Sequence, residues 1–129
     1  MGVIQNLAYI LLSFIYYSFA FSSITVSIDG TGDFTSIQEA IDYVENNPED
    51  KNIQIYPGTY FENILITSDL VLESFEGPEN TTIDGGNPNS NNLGSTIIIR
   101  PASNSTHHPE AIIDGLRIIN GKGSKVQNN

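Results

Sequence analysis

The chain has 129 residues, no cysteine and a net charge of −10 at neutral pH, so it can hold one modest core and is denied disulfide staples and thiolate metal sites. Fifteen acidic residues against five basic ones leave no cationic stripe to neutralise phosphates, which disfavours nucleic acid and anionic lipid as partners. The same balance opposes close contact with a polyanionic polysaccharide unless a divalent cation mediates.

The first element in chain order is the apolar run Leu7 to Phe21, interrupted only by Ser13 and Ser18. Small residues at Ser18 and Ala20 have the spacing that signal peptidase requires, so residues 1–20 are expected to form a cleaved export signal. Residues 21–129 are then the mature part, an incomplete opening of a single domain, secreted or held at the cell surface. No Lys or Arg precedes the apolar run, which leaves an uncleaved anchor as the alternative. The run is shorter than the roughly 20 residues a bilayer demands, and this argues against a stable membrane span.

The mature chain alternates short β-branched runs with turn residues: Ile24 to Ile28, Ile53 to Tyr56, Ile64 to Thr67, Leu70 to Glu73, Thr81 to Ile83, Thr96 to Ile99, Ala111 to Ile113 and Leu116 to Ile119. Each is too short for a helix, and Gly, Pro, Asn, Asp or Ser bounds each one, which is the punctuation of strands. A single segment has helical period. Ile37, Ala40, Ile41 and Val44 form one apolar stripe, with Gln38, Glu39, Asp42 and Glu45 expected outward. Ser36 followed by Glu39 predicts a capping box at its start, and Asn46, Asn47 and Pro48 stop it.

One helix followed only by strands is not a βαβ sheet, and two-residue hairpin turns are scarce. A solenoid remains, with strands stacking in register and the helix covering the first coil. Ser27-Ile28-Asp29-Gly30, Thr82-Ile83-Asp84-Gly85 and Ile113-Asp114-Gly115 form a faint repeat, its last interval lengthened by the polar insert Asn87 to Gly94. In such a coil inward side chains lie about 4.8 Å above one another. The expected stacks are Ile53 and Ile55, Leu70 and Leu72, Ile97 and Ile99 in one line, and Ile64, Ile66, Ile83, Ile112 and Ile118 in a second.

Three runs carry a family likeness: Asp29-Gly30-Thr31-Gly32-Asp33-Phe34-Thr35-Ser36-Ile37-Gln38-Glu39-Ala40-Ile41, Ile55-Tyr56-Pro57-Gly58-Thr59-Tyr60-Phe61-Glu62-Asn63-Ile64, and Thr82-Ile83-Asp84-Gly85. Together they resemble the start of the pectin-lyase-like superfamily, and they are similar to pectin methylesterases and to bacterial secreted surface proteins with right-handed β-helix repeats. Ala111 to Gly121 looks more like the surface proteins. The resemblance implies an all-β solenoid, a right-handed single-stranded parallel β-helix with one N-terminal capping α-helix, truncated after about three rungs. Its partners would be a pectin-like polysaccharide and the remaining rungs of a longer chain. The implied function is esterase- or lyase-like in the full-length protein, the alternative being a noncatalytic cell-surface or adhesion repeat protein.

Turn chemistry accounts for the conspicuous residues of these runs: Gly30 and Gly32 between strand and helix, Pro57-Gly58 at a corner, Tyr60 for stacking and Glu62 as an acceptor. Methylesterases of this fold use paired aspartates, an arginine and glutamines on later rungs, and no position here matches those motifs. Asp84, Asp114 and Arg117 are the nearest substitutes for acid–base chemistry on a uronate. Were Asp84 and Asp114 stacked about 5 Å apart, their repulsion would be about 3 kcal/mol at an effective dielectric of 20. Calcium would relieve it, and so would turning each carboxylate to cap the adjoining glycine turn, the reading Asp-Gly pairs favour. His107 and His108 lie in a polar run without a second ligand cluster at zinc spacing and read as loop residues. The sequence therefore assigns no catalytic, cofactor-binding or metal residue and no cofactor.

Overall fold

The computed structural model describes residues 23–86 and 94–124. The expected export signal lies outside these residues, as does the polar insert apart from Gly94. Nine strands and one helix follow in order: β1 (Ile24–Val26), α1 (Ile37–Asn46), β2 (Asn52–Ile55), β3 (Gly58–Tyr60), β4 (Ile64–Ile66), β5 (Leu70–Ser74), β6 (Thr81–Asp84), β7 (Ile97–Ile99), β8 (Ala111–Asp114) and β9 (Arg117–Ile119). The eight expected runs all contain strand. A ninth, β3, is hidden behind Pro57, where a turn was the natural reading.

All pairings between these strands are parallel, in three sheets ordered β1-β2-β5-β8, β3-β6-β9 and β4-β7. After α1 the chain visits the first, second and third sheets with β2, β3 and β4, then returns to them in the same order with β5, β6 and β7. β8 and β9 begin a third circuit. Among the described residues no sheet closes on itself.

Period-two alternation turns every other side chain inward. On the first sheet Ile24, Ile53, Leu72 and Ile113 stand in one register line, and Val26, Ile55 and Ser74 in the next. Tyr60, Ile83 and Ile118 line up on the second sheet, and Ile64 with Ile97, Ile66 with Ile99 on the third. The expected stacks are thereby corrected. Ile97 and Ile99 continue β4, not β5, because β3 takes up one further side of the circuit. Ile113 rather than Ile112 faces inward, leaving Ile112 61% exposed.

Helix α1 packs against β1, β2 and β4. Ile37, Ala40, Ile41 and Val44 are all buried, as the stripe requires. Ser36 is the N-cap, its hydroxyl accepting from the Glu39 N–H at 3.4 Å. The expected reciprocal partner is different: Glu62 accepts from the Ile37 and Gln38 N–H groups at 2.9 and 3.0 Å and from the Ser36 hydroxyl at 3.0 Å. A carboxylate from the strand layer thus satisfies donors that a helix start leaves open, and its charge complements the helix dipole.

Gln38 is half-buried, not outward. Its amide donates to the Leu65 carbonyl at 3.2 Å and accepts from the Leu65 N–H at 2.8 Å, reproducing for β4 the pair of bonds a neighbouring strand would supply. The outer edge of β1 is covered likewise, by Phe34, whose N–H donates to Thr25 O at 3.0 Å and whose carbonyl accepts from Ser27 N–H at 2.9 Å. Open strand edges invite association, and both devices remove one.

Candidate functional site

The acidic candidates are placed apart. Asp84 ends β6 on the second sheet, in register with Ile119, whereas Asp114 ends β8 on the first sheet, in register with Glu73. Asp84 accepts from the Gly86 N–H at 2.9 Å and, through both oxygens, from the Asn120 amide at 3.0 Å. This is the local capping role that an Asp-Gly turn suggests. Arg117 lies opposite Thr82 on the second sheet, whereas Asp114 is on the first. The supposed repulsion between Asp84 and Asp114 does not arise, because consecutive Ile-Asp-Gly runs fall on different sheets. Their glycines differ as well. Gly30 and Gly115 have φ of +82° and +64°, a region closed to most L-residues, while a Cβ on Gly85 would stand 2.8 Å from Thr96 Cα.

A polar cluster that the sequence did not disclose centres on Asp69. Its carboxylate accepts from the Glu110 N–H at 2.9 Å, meets His107 Nε2 at 2.7 Å and meets Lys51 Nζ at 3.5 Å. The Glu110 N–H, then the His107 ring, hold the Asp69 carboxyl down to about 2. A carboxylate so stabilised is an acceptor and no proton donor at neutral pH. Asp69 joins the segment between β7 and β8 to the start of β5. His107, read from sequence as an unpartnered loop residue, is thus one of its anchors, and sequence reasoning missed it because its partner is 38 positions away. Among the described residues no group of three or more His, Cys, Asp or Glu is placed to hold a metal ion.

The buried polar residue Asn63 was also missed as a site, though it stands in the Tyr60-Phe61-Glu62-Asn63-Ile64 run. Its amide donates to Gly85 O at 3.2 Å and Ser95 O at 3.1 Å, tying β4's start to the segments that flank the polar insert. This is a structural tie, since Asn63 is fully buried.

The outward face of the first sheet holds the remaining concentration of functional groups. Gln54, Glu73 and Asp114 form one register line across β2, β5 and β8. One alternation further along, Tyr56 and Phe75 follow β2 and β5, and the Phe75 N–H donates to Ile55 O at 2.9 Å, carrying the ladder past the strand ends. Their rings stack with centroids 4.9 Å apart and planes at 23°. Chemically the face offers an amide, two carboxylates and an aromatic pair, which suits hydrogen bonding to hydroxyls beside an apolar ring surface and supplies no base–acid pair joined to a cation.

A family model described as Pectinesterase matches residues 23–128. No curated protein and no solved structure matches the chain.

Proposed function

The chain belongs to the pectinesterase family, and we propose on that footing that residues 21–129 form part of a secreted right-handed parallel β-helix associated with pectin-like polysaccharide, contributing scaffold and binding surface but no catalytic residue. The helical winding is supported by the repeated first–second–third sheet order of parallel strands. Its hand follows from the strong preference of crossovers between parallel strands for right-handed turns. Export is supported by the Leu7 to Phe21 run and the small residues at Ser18 and Ala20. Among the described residues no helix is long and apolar enough to cross a membrane.

The observation that carries the assignment of roles is the separation of Asp114, on the first sheet, from Asp84 and Arg117, on the second. Catalysis on a uronate ester needs a nucleophile or base, a proton donor and a group to hold the substrate's carboxylate, all within reach of one point. Here Asp84 is engaged by Gly86 and Asn120, and Asp114 faces Glu73 on a different sheet. Polysaccharide association is tested by co-sedimentation of the full chain with pectin of graded methyl esterification. Retention that rises with esterification is expected, because each ester removes a negative charge that the acidic surface repels. No retention at any degree of esterification would refute the polysaccharide reading and favour the adhesion alternative.

A further inference from the structure

The pair on the first sheet combines exposure with ring stacking. Phe75 leaves 53% of its surface in water, while Tyr56 beneath it is half-buried. Aromatic rings are the largest apolar surfaces a chain can bury, so one held upright by a second ring yet left open is suited to contact with something outside the fold. On the following strand the paired register ends at Asp114 opposite Glu73, and a Cβ on the next residue, Gly115, would lie 3.3 Å from Ser74 Cβ. Leu116, the next residue, packs against the core instead of continuing the row. Among the described residues the ring contact of Phe75 is with Tyr56, so its far side carries no second ring.

We propose that the open face of Phe75, backed by Tyr56, is a stacking subsite for an uncharged pyranose ring of a polysaccharide, with Gln54, Glu73 and Asp114 taking the hydroxyls. This rests on the reading that the chain associates with pectin-like polysaccharide. Three features define the ligand. A pyranose presents a face of C–H groups to an aromatic ring and a rim of hydroxyls to acceptors, and the two rows of this sheet offer both side by side. The rows are close because Tyr56 and Phe75 lie two residues beyond Gln54 and Glu73, on the same outward alternation. Glu73, Asp114 and the adjoining Glu76 are exposed carboxylates, so a free uronate would be repelled where an esterified or neutral sugar would not.

The test titrates the full chain with three oligosaccharide probes: methyl-esterified oligogalacturonate, neutral β-1,4-galactan and fully de-esterified oligogalacturonate. Binding of an uncharged probe, with the de-esterified one at least about tenfold weaker, is expected; the first two probes distinguish an esterified backbone from a neutral side chain as the source. Phe75→Ala should weaken the uncharged probe by about tenfold and Phe75→Tyr should restore it, as a stacking contact requires. Phe61→Ala, which removes a 67% exposed ring elsewhere, should change nothing. Saturation transfer from the wild-type aromatic rings to the sugar protons gives a second readout that does not depend on any variant folding. If the wild type binds a probe but Phe75→Ala binds it equally and no ring-to-sugar transfer is seen, the subsite is refuted and the polysaccharide reading stands. If the de-esterified probe binds as well as the esterified one, the charge selection is refuted. Failure of all three probes would refute both the subsite and the reading beneath it.

Discussion

Glu62 illustrates how one side chain can hold two layers together. Its carboxylate meets the Ile37 and Gln38 N–H groups and the Ser36 hydroxyl, so its loss would expose helix donors that Ser36 alone does not reach. Ser36→Ala is expected to lower stability by on the order of 1 kcal/mol, the usual value of an N-cap. Glu62→Ala should exceed it, by about a further 1 kcal/mol because the charge also complements the helix dipole. Urea midpoints of the two variants check the order, and a larger loss for Ser36→Ala would be contrary to the geometry. Three aspartates carry the response to acid. The Thr31 hydroxyl, then the Ser27 hydroxyl, hold the Asp29 carboxyl down to about 2, the Thr25 hydroxyl lowers Asp33, and the Glu110 N–H with His107 lowers Asp69 to about 2. Each group binds its proton less readily folded than unfolded, so its stabilisation is complete above about pH 4 and is lost as the pH falls toward about 2. All three lie at or near the surface, where solvent screening keeps each contribution small. Midpoints measured between about pH 5 and pH 2 should fall for the wild type and fall less steeply for Asp69→Asn.

At the scale of the element, the extent and apolar stripe of the helix were legible in sequence and the strands nearly so, whereas the contacts of Gln38 with Leu65 and of the helix start with Glu62 were not. The i, i+3, i+4, i+7 stripe of α1 is a local signal, and all four of its residues are buried. Strand β3 was illegible because the three residues after Pro57, beginning with Gly58, satisfy turn and strand equally, and parallel pairing with Thr81 to Ile83 decides between them. That omission sent Ile97 and Ile99 to the wrong sheet, while β5 still pairs with β2 as expected; the adjacent apolar residues Ile112 and Ile113 left the inward face of β8 open to either reading. The contacts of the Asp69 cluster were illegible for a related reason: which loop meets which strand depends on the circuit of the whole chain. The inward line Ile24, Ile53, Leu72 and Ile113 tests the corrected register. Leu72 is fully buried between two neighbours in that line, so Leu72→Ala should cost about 2–5 kcal/mol through lost burial and a residual cavity. Ile112→Ala, on the exposed alternate, should stay within about 0.5 kcal/mol. Equal losses at the two positions would show the register to be displaced by one residue.

For the whole molecule, the two ends of the sheets are treated differently. At the β1 end, α1, Phe34 and Gln38 cover apolar residues and backbone edges together. At the other end, Ile99 and Ile118 are each 46% exposed, and among the described residues β7, β8 and β9 pair on one side. The circuit of parallel strands places Asp84 and Arg117 on one sheet and Asp114 on another, and this geometry underlies the account of a scaffold whose Ile-Asp-Gly runs shape turns rather than catalyse. The most direct measurement is release of methanol from highly methylated pectin by the full chain, with and without calcium. No methanol above the spontaneous rate is the result this account predicts. Release that is abolished by Asp114→Asn would contradict it, and with it the structural role given to these turns.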